Sequence, residues 1–289
     1  MLPASASPAQ NERQTPESSP LEICSWRVAG AAVTGVSHQR LGLPCQDFQS
    51  YRVLPAGRGT ALLVALADGA GSAEHAQQGA EQAVVAALDA LEQCLRVERT
   101  APLDLDAMIR QAFEAARQAL LALAEQDDLA VRSLATTLTC ALAVDGFLGV
   151  GQVGDGSLVV KTGQGELLAV TQPQRGEYAN ETYFLSQEDA LDHLQVQVLH
   201  QPIQALAVLS DGLLRLALQM STNQPHRPFF QPLFDFVAAS ADPNLAAEQL
   251  AAFLGSERVS ARTDDDKSIV LAVCLGSGAG AQAAGGAGG

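Results

Sequence analysis

Basic residues are scarce in this chain, and their scarcity excludes several classes of function. The sequence holds 17 lysines and arginines against 32 aspartates and glutamates, which gives a formal net charge of −15. A sequence-independent nucleic-acid binder needs a basic face for phosphates, and attachment to an anionic lipid surface needs one too. We therefore expect neither nucleic acid nor a membrane as a partner.

Long apolar runs and paired cysteines are also missing. No apolar run approaches the ~20 residues of a membrane-spanning helix, and the N-terminus lacks the basic-then-apolar pattern of a secretory signal. The five cysteines, Cys24, Cys45, Cys94, Cys140 and Cys274, lack the spacing of a zinc motif or a disulfide framework. Reduced thiols and a cytoplasmic protein are the simplest interpretation.

Composition divides the chain into a folded part and two tails. Residues 1–20 are rich in Ser, Pro, Ala and Gln and have little to bury, which predicts a disordered N-terminal tail. Residues 276–289 are nearly all Gly and Ala and predict a flexible tail. Residues 21–275 remain as one folded domain. Nothing in them indicates an oligomer, so we expect a monomer.

Two apolar runs end in Asp-Gly. Each run predicts a buried strand, and Asp68-Gly69 and Asp211-Gly212 follow directly. Asp-Gly usually forms a hairpin turn between strands, but here each pair precedes a segment with helical character. A third acidic cluster, 264–266, leads into a final apolar strand. Three carboxylate clusters at the ends of buried strands suggest one shared cation site.

The order of the predicted elements indicates an α+β fold. Strands come first, then helices starting near Ser72 and Asp104, then an antiparallel meander through Gly154-Asp155-Gly156, and finally more helices and a strand. Because strands cluster in antiparallel groups, a doubly wound sheet is excluded. The pattern fits a central antiparallel β-sandwich flanked by helices on both faces.

Carboxylates that converge from separate strands suit a hard divalent cation. Magnesium and manganese prefer oxygen ligands, and a glycine after the aspartate lets a backbone carbonyl approach the metal. Two such ions about 4 Å apart can share a bridging water, lower its pKa and direct it at phosphorus. The layout alone therefore favours phosphoester hydrolysis.

The succession of these motifs along the chain carries more specificity than any one of them. It resembles the protein phosphatase 2C (PPM-type) family, particularly the bacterial members, over about residues 26–275. The motifs are Gln46-Asp47, Asp68-Gly69-Ala70-Gly71, Gly154-Asp155-Gly156, Ser210-Asp211-Gly212 and Asp265-Asp266-Lys267-Ser268. The resemblance implies a Ser/Thr phosphoprotein phosphatase with two manganese or magnesium ions and a metal-bridging water or hydroxide as nucleophile. Such an enzyme opposes a Ser/Thr kinase on a phosphorylated protein substrate.

The resemblance also assigns roles to residues. It implies that Asp68 bridges both metals and that the carbonyl of Gly69 binds one of them. Asp211 and Asp265 would complete the other site, with Asp47 in or next to the ligand set. The choice of Asp265 could shift by one residue within the acidic cluster.

Four positions depart from the family pattern. Gln46 stands where an acidic residue is common, and Gly42 stands where the phosphate-binding arginine is usual. Ala70 replaces a histidine that many eukaryotic members carry. Asp155 falls where many members hold a third, weaker metal, but Arg215 occupies the place of its acidic partner, which argues against that third site.

His38 and Arg40 could replace the missing groups. Both lie on the segment leading to Asp47, so we predict that either contacts the phosphate and that His38 donates a proton to the leaving alkoxide. The departures also leave two alternatives to a phosphoprotein phosphatase. One is a weak or inactive pseudophosphatase that binds phosphoproteins as a regulatory module. The other is a hydrolase of small phosphate metabolites.

Overall fold

The structure, a computed structural model, describes residues 24–57, 59–97, 102–174 and 182–276. Both predicted tails lie outside these ranges, apart from Gly276. The strands are β1 (Cys24–Val33), β2 (Asp47–Ala56), β3 (Gly59–Asp68), β4 (Leu138–Val144), β5 (Phe147–Val153), β6 (Ser157–Thr162), β7 (Leu167–Ala169), β8 (Gln195–Leu199), β9 (Ile203–Leu209), β10 (Leu218–Gln219), β11 (Gln224–Pro225) and β12 (Lys267–Gly276). The α-helices are α1 (Val36–Leu41), α2 (Ala76–Arg96), α3 (Leu105–Gln126), α4 (Leu214–Ala217), α5 (Arg227–Ala239), α6 (Pro243–Leu254) and α7 (Glu257–Ser260).

Two five-stranded sheets form the centre of the fold. The first has the order β1-β12-β9-β6-β7 and the second β2-β3-β4-β5-β8, and every neighbouring pair is antiparallel. A separate short hairpin pairs β10 with β11. Residues alternate between the faces of a strand, so the two sheets can pack on each other and still present apolar faces outward.

Three apolar clusters hold these layers together. One lies between the sheets and includes Val64, Val150, Leu206 and Val270. A second packs α2 and α3 on the outer face of the β2–β8 sheet, and a third packs α5 and α6 on the outer face of the other sheet. The four-layer α+β sandwich expected from the sequence is confirmed. In the described part of the chain, no helix is long and apolar enough to cross a membrane.

The prediction of one continuous meander is wrong at the turn between β5 and β6. β4 and β5 pair as expected, but β6 pairs with β7 and β9 in the opposite sheet. Gly154-Asp155-Gly156 therefore carries the chain across the sandwich. Both β5 and β6 are buried almost throughout, so their apolar patterns did not reveal which sheet each would join. The crossing places Asp155 at an end of the sandwich.

Two predicted helix caps have different outcomes, because one helix start is fixed by its own capping residue and the other by a distant segment. Asp104 caps α3 as predicted, since its side chain accepts a hydrogen bond from the Ala107 amide. Ser72 does not cap α2, which begins four residues later. Residues 70–75 instead bond to a distant segment: the amides of Ala70 and His75 donate to the carbonyls of Ala135 and Ser133.

The cysteines require a correction to the expectation of reduced thiols. Cys24 and Cys274 form a disulfide, with their Cα atoms 5.5 Å apart. The pairing of β1 with β12 sets these ends side by side, because Cys24 faces Gly276 and Trp26 faces Cys274. A separation of 250 residues conceals this proximity in the sequence. Cys45, Cys94 and Cys140 are not in disulfides.

Candidate metal centre

The acidic motifs meet at one end of the sandwich. Asp47 and Asp68 are direct partners across β2 and β3. Asp68 is fixed from the other side, because its amide donates to Thr137 Oγ1 at 3.0 Å and its carbonyl accepts from the Thr137 amide at 2.8 Å. Asp211 follows β9 in the opposite sheet.

A serine links the two sheets at this end. The hydroxyl of Ser210 donates to Oδ2 of Asp47 at 2.8 Å and accepts from the amide of Ser268 at 3.0 Å. Both Asp47 and Ser210 are buried, at 4% and 0% exposure. This bond holds the carboxylate from β2 beside the ends of β9 and β12.

Several oxygen atoms at this end are buried without a hydrogen-bond partner among the described residues. They are Oε1 of Gln46, Oδ1 of Asp47 and Oδ1 of Asp211. An unpaired buried acceptor is costly, so each one in a folded protein calls for an explanation. Oxygen atoms are the donors that magnesium and manganese prefer. The donor set therefore fits a hard divalent cation.

The carboxylates are poised to take up protons when no cation is present. Burial raises the pKa of Asp68 well above its usual range, and the charges of Asp47, Asp211 and Asp155 raise it further. Burial raises the pKa of Asp47 to about 7, although the bond from Ser210 opposes the change. Burial, Asp155 and Asp265 raise the pKa of Asp211 to about 6.

A side-chain contact between Asp68 and Asp211 adds to the rise in the pKa of Asp68 and opposes the rise in the pKa of Asp211. The described residues contain no group of three or more His, Cys, Asp or Glu side chains already arranged to hold a metal ion. A divalent cation would compete with protons for these carboxylates, as metals generally do.

The glycines of the two Asp-Gly pairs are required for packing. A Cβ atom on Gly69 would lie 2.6 Å from the carbonyl oxygen of Ala76, and one on Gly212 would lie 2.0 Å from that of Asp266. Real side chains do not tolerate such contacts. In both motifs glycine therefore lets another segment approach the backbone directly after the aspartate.

The residues of the acidic cluster at 264–266 differ in burial and in contacts. Asp266 is 3% exposed and accepts hydrogen bonds at 2.6 Å from the amides of Gly35 and Gln46. Asp265 is exposed and lines a cavity of about 420 Å³ together with Asp211. Asp264 and Asp265 are therefore on the cavity side of the cluster, while Asp266 ties β12 to α1 and β2.

Asp266 also orients His38. The Nδ1 atom of His38 lies 2.9 Å from Oδ2 of Asp266. Since the carboxylate can only accept, Nδ1 donates and Nε2 is the free ring nitrogen. That nitrogen and Oε1 of Gln46 each lie 3.9 Å from the position of a Cβ on Gly71. His38 therefore reaches the space above the Asp-Gly-Ala-Gly segment.

The other residues predicted from the sequence have fewer direct contacts with the central carboxylates. Asp155 accepts a hydrogen bond from the Thr182 hydroxyl at 2.6 Å, and its charge acts on Asp68 and Asp211. Arg40 is exposed on α1, and no bond holds it among the described residues. Gly42 ends α1 with a φ of +68°, a conformation that disfavours an arginine at that position.

Two arginines line the cavity beside Asp211 and Asp265. Arg215 on α4 stands out in the sequence as a departure from the family pattern and as a positive charge available to substrates, whereas Arg262 was missed. Arg262 precedes the acidic cluster by two residues, and that proximity was the available signal. Guanidinium groups bind phosphate oxygens well, so these residues place phosphate-binding chemistry next to the carboxylates.

Comparison with known proteins agrees with this geometry. The family model described as "Protein phosphatase 2C" matches residues 34–255. The chain belongs to the protein phosphatase 2C family. Serine/threonine-protein phosphatase 3 of Escherichia coli strain K12 is 40% identical over 254 residues, which cover 86% of this chain and 98% of that protein.

Solved structures share the protein phosphatase 2C fold at low sequence identity. A bacterial serine phosphatase has a TM-score of 0.60 at 14% identity and covers 87% of this chain and 99% of its own. The catalytic domain of the phosphatase PstP, in complex with two manganese ions, has a TM-score of 0.55 at 21% identity, with coverages of 88% and 100%. The comparisons confirm the family, its fold and the class of enzyme that the sequence predicted.

Proposed function

We propose that this protein hydrolyses phosphoserine and phosphothreonine esters in phosphoproteins with the help of two manganese or magnesium ions. One observation carries the proposal: three buried oxygen atoms without partners, on Gln46, Asp47 and Asp211, face the end of the sandwich where the carboxylates of two sheets meet. Family membership supports the same chemistry.

The metal ligands would come from both sheets. Asp68, the carbonyl of Gly69 and Asp47 supply oxygens from the β2–β8 sheet, and Asp211 and Asp265 supply them from the other. The ions, when bound, would activate water for attack on phosphorus and neutralise the phosphate charge. Asp155, which accepts a hydrogen bond from Thr182, would lie outside the central pair, and Arg215 argues against a third ion beside it.

Side chains of this protein would supply the proton for the leaving group. His38 would donate a proton from Nε2 to the leaving alkoxide, with Asp266 holding Nδ1 so that the ring keeps its orientation. Asp266 can do so because its three hydrogen-bond donors, from Gly35, Gln46 and His38, fix it in place.

Arg215 and Arg262 would bind the phosphate oxygens, since both line the cavity with Asp211 and Asp265. They take the place that the sequence pattern left open at Gly42. Arg40 stays a weaker candidate for this role, because it is exposed on α1.

The decisive experiment is hydrolysis of para-nitrophenyl phosphate with manganese, beside chelator-treated protein and the Asp211→Asn variant. We expect metal-dependent turnover that this substitution abolishes. Asp106→Asn is the matched control, because Asp106 lies on α3, on the outer face of the β2–β8 sheet, where its carboxylate pairs with Arg110. A folded wild-type protein that is inactive with every metal would refute the enzyme and favour the phosphoprotein-binding pseudophosphatase.

Phosphopeptides then separate a phosphoprotein phosphatase from a hydrolase of small metabolites. We expect kcat/KM to be higher for phosphoserine and phosphothreonine peptides than for free phosphoserine. The proposed setting is that of a cytoplasmic monomer, folded over residues 21–275, that opposes a Ser/Thr kinase.

A further inference from the structure

A second cavity adjoins the candidate metal centre. It has a volume of about 840 Å³ and shares Arg215 and Arg262 with the smaller cavity that holds Asp211 and Asp265. The two arginines thus stand at the boundary between the centre and a groove. We name this second cavity the arginine groove.

The walls of the arginine groove come from the helical side of the β1–β7 sheet. They include α4, the β10–β11 hairpin, the first turns of α5, the end of α6 and α7. Several apolar side chains in the lining are only partly buried, among them Leu216, Phe229 and Phe253. These residues give the groove an apolar floor that water covers in the free protein, as is common for binding sites.

The charge of the groove is opposite to that of the protein as a whole. Arg215, Arg258 and Arg262 are exposed in its lining, and none of them forms an ion pair with another described residue. No aspartate or glutamate lines it, although the chain carries 32 of them. Three unpaired guanidinium groups in a strongly acidic chain form a local site for anions.

We propose that the arginine groove docks the substrate segment next to the phosphorylated residue, and that it selects segments with acidic side chains and a bulky apolar residue. The phosphoester would enter the smaller cavity. The adjoining residues would run along the groove, with a carboxylate on Arg258 and an apolar side chain on Phe229 and Phe253. This inference rests on the proposed function, because it names the substrate class of the same site.

Charge complementarity favours a peptide over the other occupants. A free anion would use the arginines but leave the apolar floor uncovered, and an apolar ligand alone would leave three charges without partners. A substrate segment uses both features at once. Binding energy from such remote contacts is what separates a peptide from a small ester as substrate.

The kinetic test compares two phosphopeptides of the same length and the same apolar residue. One has aspartates beside the phosphoserine and the other has asparagines. Wild-type protein is expected to prefer the acidic peptide. Arg258→Glu should lower the ratio of kcat/KM for the acidic peptide to that for para-nitrophenyl phosphate about tenfold, mainly through KM, because attraction becomes repulsion. Arg258 is chosen because it lines the groove but not the smaller cavity.

Two further variants complete the kinetic test. Phe253→Ala should lower the same ratio for both peptides, because it removes the apolar floor and not the charge. Arg110→Glu is the control, since Arg110 lies on α3 against the β2–β8 sheet and forms an ion pair with Asp106. It should leave the ratio unchanged.

A binding measurement keeps the inference separate from the proposed function. Fluorescence anisotropy of the labelled acidic peptide needs no turnover, so it can be run on Asp211→Asn and on Asp211→Asn with Arg258→Glu. Tighter binding of the acidic peptide that Arg258→Glu weakens supports the groove even if the protein proves catalytically inactive. Equal binding and equal kcat/KM for both peptides would overturn the docking role of the groove and leave the phosphatase proposal intact. So would a loss in Arg258→Glu that is the same for the acidic and the asparagine peptide.

Discussion

The Nδ1 atom of His38 lies 2.9 Å from Oδ2 of Asp266, although 228 positions separate the two residues in the chain. His38 is on α1, and Asp266 immediately precedes β12. Gly35 makes the approach possible, because a Cβ at that position would lie 2.2 Å from the carbonyl carbon of Asp265. The contact gives the imidazole a fixed orientation at the edge of the candidate metal centre.

The first prediction concerns the proton donor. His38→Ala should lower kcat about 100-fold on a phosphoserine peptide. On para-nitrophenyl phosphate it should lower kcat much less, because nitrophenolate leaves without a proton. His200→Ala is the control, since His200 packs edge-on against Phe147 at the far end of the sandwich. Equal losses on both substrates would remove His38 from the chemistry.

The second prediction concerns pH and the metal-free fold. The pKa of Asp47 rises from 3.8 to about 7 on folding. A group with a raised pKa adds stability below its unfolded pKa, and this contribution disappears as pH rises through the folded pKa. Chelator-treated protein should therefore lose on the order of a few kcal/mol of unfolding free energy between about pH 4 and pH 7.

Urea denaturation at pH 5 and pH 8 measures that loss. Asp47→Asn should reduce the dependence, because the amide stays neutral and its oxygen can still accept from Ser210, while the raised pKa values of Asp68 and Asp211 keep part of it. A metal-free wild-type protein that is more stable at pH 8 than at pH 5 would contradict the assignment.

The third prediction concerns metal removal. Manganese at about 100 times its dissociation constant should stabilise the protein by about 2.7 kcal/mol. Thermal unfolding at pH 8 should show a higher midpoint with manganese, and the increase should vanish in Asp211→Asn. Asp106→Asn, on α3, should keep it. A rise that survives Asp211→Asn would place the ion elsewhere.

The fourth prediction tests the tight packing behind Asp211. Gly212→Ala should cost about 1–3 kcal/mol of unfolding free energy, because the new methyl group collides with the carbonyl of Asp266. Gly163→Ala is the matched control, since its nearest neighbour would be Pro202 at 3.6 Å. Urea unfolding compares the two variants, and similar midpoints would argue against the close approach.

The sequence revealed those features that local patterns control. Apolar runs located the strands that carry Asp68 and Asp211, and Asp104 marked the start of α3. Long-range contacts decided the rest. The crossing at Asp155 depends on which sheet β6 joins, and the disulfide depends on the pairing of two strands from opposite ends of the chain. The start of α2 moved because residues 70–75 bond to the segment before β4.

In the candidate site, too, local sequence predicted some features and long-range contacts decided the others. The order of the acidic motifs identified the carboxylates, but no local pattern could show that Asp266 turns inward while Asp265 faces the cavity. The role of the arginines was equally hidden. Arg215, Arg258 and Arg262 line one groove only because α4 and α7 flank it in the folded chain.

The pairing of β1 with β12 also has a practical consequence. Cys24 and Gly276 are partners at one end of this strand pair, and Val33 and Lys267 are partners at the other, next to Asp266. Ten residues of extended chain span about 34 Å. A surface tether joined at Gly276 would therefore start from the end of the strand pair opposite the carboxylates, and protein held at that point would present its cavity to the solution.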